Sequence, residues 1–158
     1  MQIHFILVEP AVPENVGAAA RAIKTMGFSS LRLVNTKAHL DEKAGWVAHA
    51  SQEILEKAET FRSLNEAIKD IDWVIGTSAK KRRVNEDYYP SNKLNELIKA
   101  KANSIRNLAI VFGREESGLT NEELKLCDII SSVPMKTTYP SLNLAQSVMI
   151  YAYTLSML

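Results

Sequence analysis

Apolar runs alternate with helical patterns along this chain. Ile3 to Val8 is apolar at every position except His4, and a short run of this kind predicts a buried strand. Asn15 to Met26 is rich in alanine and is followed by Gly27, the pattern of a helix stopped by a glycine, with Asn15 as its candidate cap. Leu31 to Val34 predicts a second strand and Asp41 to Ala50 a helix. Ser63, with Glu66 three residues later, forms a capping box for a helix through Ile68. Trp73 to Ile75 predicts a strand that ends in Gly76-Thr77-Ser78-Ala79, and Ser91 to Ala102 a helix entered through Pro90. Leu108 to Phe112 is a fully apolar strand, Thr120 to Glu123 a second capping box, Ile129 to Val133 the last strand, and Leu142 to Leu158 the last helix.

Strands that are apolar on both faces and alternate with helices build a mostly parallel sheet covered on both sides. The expected fold class is therefore α/β. Ligands in such sheets bind at the carboxyl ends of the strands, so the informative loops follow Val8, Ile75, Phe112 and Val133. No repeat and no Gly/Ser- or Pro-rich linker divides the chain, which predicts one domain over residues 1–158.

The last helix is unusual because no charged residue occurs between Thr137 and Leu158. It carries Asn143, Gln146, Ser147, Thr154 and Ser156 and is short for a membrane span. A helix without a charged face is normally buried. In a domain this small, a homodimer with this helix at the interface is the expectation, over simple burial in the core.

Composition narrows the picture further. A chain of 158 residues, 46% hydrophobic and 23% charged, is an ordinary globular domain and not a disordered one. Lys and Arg total 19 against 18 Asp and Glu, so any nucleic-acid binding must come from a local patch. The single cysteine, Cys127, excludes a disulfide framework and a Cys-pair zinc site, and it reads as a small core residue. His4, His39 and His49 lack metal-ligand spacing, so no metal is expected; His4 reads as a structural histidine, and His49 is assigned no role. Met1 to Val8 lacks the cationic start and cleavage site of a signal peptide, and a cytoplasmic location is expected.

Two nucleotide-binding chemistries fail. The segment from Glu9 to Gly17 has one glycine where a dinucleotide fingerprint needs three. Gly113 to Thr120 has the glycine spacing of a phosphate loop, but Leu119 stands where the lysine must be, and Glu115 and Glu116 would repel phosphates.

What remains is a set of odd polar residues at strand ends. Asn15-x-Gly17-x-x-x-Arg21 follows the first strand, and Gly17 allows close backbone approach. Gly76-Thr77-Ser78-Ala79 leads into four consecutive cations, Lys80, Lys81, Arg82 and Arg83. Phe112-Gly113-x-Glu115-x-x-Gly118-Leu119 and Val133-Pro134-Met135 with Ser141-Leu142-Asn143 complete the set. In order, spacing and placement, these resemble the three motifs of the SpoU/TrmH family, the SPOUT-type RNA ribose 2'-O-methyltransferases. Arg21 to Gly27, Gly76 to Ala79 and Gly118 to Leu124 look most like the TrmJ-type (tRNA/rRNA methyltransferase) branch.

The resemblance implies a SPOUT α/β-knot, in which the C-terminal part is threaded into a trefoil knot that holds S-adenosyl-L-methionine. It assigns Thr77, Ser78, Ala79, Gly113, Val133, Pro140, Ser141 and Leu142 to the cofactor. It implies a homodimer whose active sites draw on both subunits. Arg21 matches the family's catalytic arginine, and Asn15, Glu115, Ser141 and Asn143 match the other polar motif positions. Arg21 is an implausible base, since a guanidinium stays protonated in proteins. It would instead stabilise developing alkoxide charge or bind the adjacent phosphate. Glu115 would hold a cation, Arg21 itself being a candidate, and Asn143 would bond locally. Lys80, Lys81, Arg82, Arg83 and Arg114 are the candidate RNA contacts.

The family's third motif often has a glycine between Met135 and Ser141, where this chain has Lys136-Thr137-Thr138-Tyr139-Pro140, and Pro140 removes one backbone donor. TrmJ-type proteins also continue into a C-terminal extension that assists tRNA binding; Leu158 falls inside an apolar helix, so either the rest lies outside this sequence or the enzyme is a minimal one. The implied function is methylation of a ribose 2'-hydroxyl in tRNA, at nucleotide 32 beside the anticodon loop. The alternatives are a ribosomal RNA 2'-O-methyltransferase, a non-catalytic RNA-binding protein of the same fold, and an unrelated flavodoxin-like domain.

Overall fold

β1 (Gln2–Val8) forms where the chain is apolar on both faces, and Phe5 to Val8 are fully buried. α1 (Pro13–Thr25) opens with proline in its first turn and stops before Gly27, whose φ of 88° glycine adopts without strain. The computed structural model describes residues 1–79, 88–137 and 142–158. β2 (Ser30–Val34) is followed by α2 (Glu42–Ala48), capped by the Asp41 side chain, and α3 (Gln52–Glu56). β3 (Glu59–Phe61), α4 (Leu64–Ala67), β4 (Trp73–Thr77) and β5 (Tyr88–Pro90) come next. A 3-10 turn at Ser91–Lys93 leads into α5 (Leu94–Lys101), then β6 (Asn107–Phe112) and α6 (Asn121–Lys125). β7 (Ile129–Ser132) and α7 (Leu144–Ser156) complete the order.

Among the described residues seven strands form one sheet, in the order β3-β2-β1-β6-β4-β7-β5. Every neighbouring pair is parallel. Alternate residues of β1 face opposite cores. Phe5 and Leu7 pack with α1, α5 and α7 on one side, while Ile6 and Val8 pack with α4 and α6 on the other. The parallel sheet with helices on both faces matches the sequence expectation.

Three elements were not foreseen. β3 and β5 are three residues long and sit at the two sheet edges, where a strand needs no apolar pattern and tolerates Pro90. α3 has five residues, too few for a helical period to show.

His4 is buried within β1 and satisfied at both ring nitrogens. Nε2 donates to Asn107 Oδ1 at 3.1 Å, and Nδ1 meets the Ser30 hydroxyl at 2.6 Å. That agrees with a structural role. α7 buries Leu144, Val148, Tyr151, Ala152 and Leu155 against α1 and α5. Its other side leaves Tyr153 and Met157 exposed, so the chargeless helix is only half covered within one chain. Among the described residues no helix is long and apolar enough to cross a membrane.

Candidate active site

β1, β6, β4 and β7 are neighbours in that order, so the four loops at their carboxyl ends meet at one end of the sheet. The loops after β6, β4 and β7, with the start of α7, enclose a cavity of about 570 Å³, a volume suited to a small ligand. Thr77, Ser78, Ala79, Gly113, Val133 and Leu142 all line it. Pro140 and Ser141 lie outside the described residues, as do Lys80, Lys81, Arg82 and Arg83. Phe112, Met135 and Tyr151 complete the apolar wall. Phe112 and Met135 stand in the quoted motifs without an assigned role, and Tyr151 was missed because it reads as an ordinary core residue.

The loop after β6 hooks back on itself. The backbones of Arg114 and Gly118 exchange hydrogen bonds at 3.2 and 3.0 Å. A Cβ on Gly113 would fall 2.1 Å from the Gly118 carbonyl carbon and 2.2 Å from Leu119 N, so only glycine fits. The hook aims Glu115 at the loop after β1. Glu115 accepts from the N–H of Ala11 at 2.9 Å, from the N–H of Val12 at 2.8 Å, and from Asn15 Nδ2 at 3.2 Å.

Asn15 Oδ1 in turn accepts from Asn143 Nδ2 at 2.9 Å, and Asn143 Oδ1 accepts from the Ala145 N–H, capping α7. Three motif residues far apart in sequence thus share one chain of hydrogen bonds beside the cavity.

This geometry corrects several expectations. Among the described residues the partners of Glu115 are two backbone amides and the Asn15 side chain, with no cation among them. Asn15 does not cap α1: the helix begins at Pro13, Val12 holds the cap position, and Asn15 turns to the motif residues instead. Asn143 bonds across the fold as well as locally. Arg21 lies on the exposed side of α1, lines no part of the cavity, and makes no hydrogen bond or ion pair among the described residues.

Arg114 is paired within the chain. Its guanidinium donates to Glu123 at 2.8 Å, to the Gly118 carbonyl at 3.2 Å, and to the Glu9 carboxylate. The Glu123 bond, with Glu9 behind it, raises the Arg114 pKa further still. One arginine between two carboxylates leaves no net positive charge in this wall. A cationic sulfonium cofactor therefore meets no repulsion there, and the cavity fits S-adenosylmethionine in size and charge.

Burial pushes the Glu115 carboxyl up, but the Ala11 and Val12 amides outweigh it and hold the group below its ordinary value. A folded-state pKa below the unfolded one contributes stability above about pH 4.3 and loses it as the pH falls through the folded value. Amide protection of Ala11 and Val12, corrected for intrinsic exchange, will hold at neutral pH and fall on acidification, with a midpoint below that of an ordinary glutamate. Protection that rose on acidification would contradict this.

Cys127 fits its core reading: burial pushes its thiol up to about 12, far from a nucleophile. Among the described residues no cluster of His, Cys, Asp or Glu could hold a metal ion.

The model of the SpoU rRNA Methylase family matches residues 2–153. The chain belongs to the SpoU rRNA methylase family. It is 49% identical, over its full length and 69% of the relative's, to an uncharacterized tRNA/rRNA methyltransferase LasT of Escherichia coli K12. It is 36% identical to the tRNA (cytidine-2'-O-)-methyltransferase TrmJ of Methanocaldococcus jannaschii, over 97% of the chain and 66% of the relative. The chain thus spans about two thirds of the length of these SpoU relatives. TrmJ from Z. mobilis ZM4 superposes with a TM-score of 0.90 at 32% identity, covering 99% of this chain and 70% of the other. The SpoU methyltransferase AviRb of Streptomyces viridochromogenes, solved in complex with AdoMet, shares the fold at a TM-score of 0.78 and 19% identity, over 99% of this chain and 60% of the other.

Proposed function

We propose that this chain transfers a methyl group from S-adenosylmethionine to a ribose 2'-hydroxyl of tRNA, at nucleotide 32 beside the anticodon loop. The observation that carries the reading is the Glu115–Asn15–Asn143 chain of hydrogen bonds standing beside a cavity lined by six of the expected cofactor residues. The similarity to tRNA (cytidine-2'-O-)-methyltransferases supports the substrate class. The nucleotide position follows from the TrmJ-like motifs. A cytoplasmic location and a trefoil knot in the C-terminal part belong to the same reading.

Bound in the cavity, S-adenosylmethionine supplies an electrophilic methyl on a sulfonium. The chain supplies placement. Thr77 to Ala79 and Gly113 offer backbone groups beside small side chains, which suit the polar rim of a nucleoside. Phe112, Met135 and Leu142 exclude water from the apolar side. In-line placement of hydroxyl and methyl supplies much of the acceleration without a metal.

Arg21 completes the site from a second copy of the chain. It does not line its own cavity, and the uncovered apolar side of α7 offers the dimer surface. There its fixed positive charge holds the phosphate next to the target ribose or stabilises the oxygen as its proton leaves. Lys80 to Arg83 follow directly from the cavity-lining Ala79 and are the proposed backbone contacts of the RNA.

Methyl transfer from labelled S-adenosylmethionine to bulk tRNA, and separately to ribosomal RNA, tests the reading. Nuclease digestion locates the label. A ribose-methylated nucleotide from tRNA is the expected product. Label confined to ribosomal RNA would keep the enzyme and change its target. A chain that binds no cofactor would overturn the reading.

A further inference from the structure

Two loops carry the site, and they are latched by bonds that run in opposite directions. Glu115, on the loop after β6, accepts from the backbone of Ala11 and Val12 on the loop after β1. Its neighbour Arg114 does the reverse, donating to the Glu9 side chain of that same loop. Glu9 is a non-glycine residue with a φ of +48°, a conformation that persists only where surrounding bonds enforce it. Its own N–H donates to the Val34 carbonyl at 2.9 Å, and the next carbonyl, Pro10, accepts from Thr36 Oγ1 at 2.9 Å. Val12, the last residue of this fixed loop, is the cap position of α1, the helix that carries Asn15 and Arg21.

The other end of the latch is the cavity wall. Arg114 lines the cavity, and its guanidinium is held from behind by Glu123, itself fixed in a capping box with Thr120. A ligand pressing on the hook from Gly113 to Gly118 therefore bears on Arg114, and Arg114 bears on Glu9. The link between cavity wall and helix start is thus one ion pair, Arg114 with Glu9, beside the Glu115 bonds to Ala11 and Val12.

We infer that Arg114 and Glu9 are positioning residues that couple occupancy of the cofactor cavity to α1, the helix that carries Arg21. The inference rests on the methyl-transfer reading and adds an order to it. A filled cavity stiffens the hook, Arg114 pins Glu9, and α1 presents Asn15 and Arg21 in one orientation. Coupling between two sites is reciprocal, so bound RNA tightens the cofactor by the same factor that the cofactor tightens RNA.

The test uses S-adenosylhomocysteine, which fills the cavity without reacting, and tRNA binding measured with and without it. In the unaltered chain S-adenosylhomocysteine should tighten tRNA binding at least about fivefold. Arg114→Gln and Glu9→Gln should each cut that factor below about twofold, and the double variant should add nothing further, as expected of two residues in one bond. Arg114→Lys, which keeps the charge but cannot fork between two carboxylates, should fall between. Amide protection at Ala11 and Val12 should rise with S-adenosylhomocysteine in the unaltered chain and stay flat in the Gln variants. A purely structural role would lower melting temperature without separating these states.

If Arg114→Gln weakens tRNA equally with and without the ligand, and flattens the salt slope by about one, Arg114 is a phosphate contact and the inference fails. Normal binding of both ligands without coupling in the unaltered chain also overturns it, while leaving the methyl-transfer reading intact. Failure of the unaltered chain to bind S-adenosylhomocysteine overturns that reading instead, and this inference with it.

Discussion

Arg21→Ala will lower single-turnover methyl transfer by about 10²–10³-fold while S-adenosylmethionine affinity stays within about twofold. The first half follows from the size of a preorganised charge at a reacting oxygen. The second follows from position: Arg21 is exposed, makes no contact that holds the fold together among the described residues, and lies away from its own cavity. Its removal should also leave stability within about 0.5 kcal/mol, as for a surface change touching no special feature. Arg21→Lys should recover only part of the rate, because the point charge remains and the planar fork is lost. Cofactor calorimetry beside the rate measurement separates the outcomes. A variant that transfers normally denies Arg21 its role, and one that loses cofactor binding puts it in the cavity wall.

Gly17→Ala will destabilise the fold by about 2 kcal/mol or more, against the usual gain of about 1 kcal/mol for replacing a helical glycine. A Cβ at Gly17 would sit 1.9 Å from the Ala44 carbonyl oxygen and 2.8 Å from Val47 Cγ2. The first of these is backbone, so no rotamer change relieves it, and α1 must move off α2. Gly45→Ala is the matched control. It lies on the partner helix with nothing within 4 Å of the added carbon, and it should stabilise by about 0.5–1 kcal/mol. In thermal melts Gly17→Ala should fall by roughly 4–8 °C and Gly45→Ala should rise. Two substitutions of the same kind then move in opposite directions, and equal shifts would refute the close crossing.

The Gly17 result also marks where sequence reading succeeded. A lone glycine inside an alanine-rich helix implied close backbone approach, and the approach is to a neighbouring helix. The buried strands were legible for a simple reason. Strands covered on both faces must be apolar throughout, so Ile3 to Val8 and Leu108 to Phe112 declare themselves. β3 and β5 do not, because an edge strand owes its place to one neighbour's backbone. The cavity was foreseeable at Thr77 and Gly113, since a strand end with small residues has few other uses. Its electrostatics were not. Arg114 looked free because Glu9 is 105 residues away along the chain, and Glu115 looked like a cation's partner because backbone amides leave no mark in a sequence. Pairwise charge reasoning sees side chains only, and here the decisive donors were main-chain N–H groups.

The placement of β1 has a consequence for how the chain is made. β1 is flanked by β2 and β6, and His4 finds its partner at Asn107, 103 positions later. At a synthesis rate of roughly 5–20 residues per second, one flank of this buried strand waits several seconds for its neighbour to leave the ribosome. Until then, among the described residues, β1 has β2 on one side and no strand on the other, an edge open to pairing with a second nascent copy. Slow codons or a bound chaperone before β6 would lengthen that interval, and yield of folded protein should track its duration more closely than it tracks final stability.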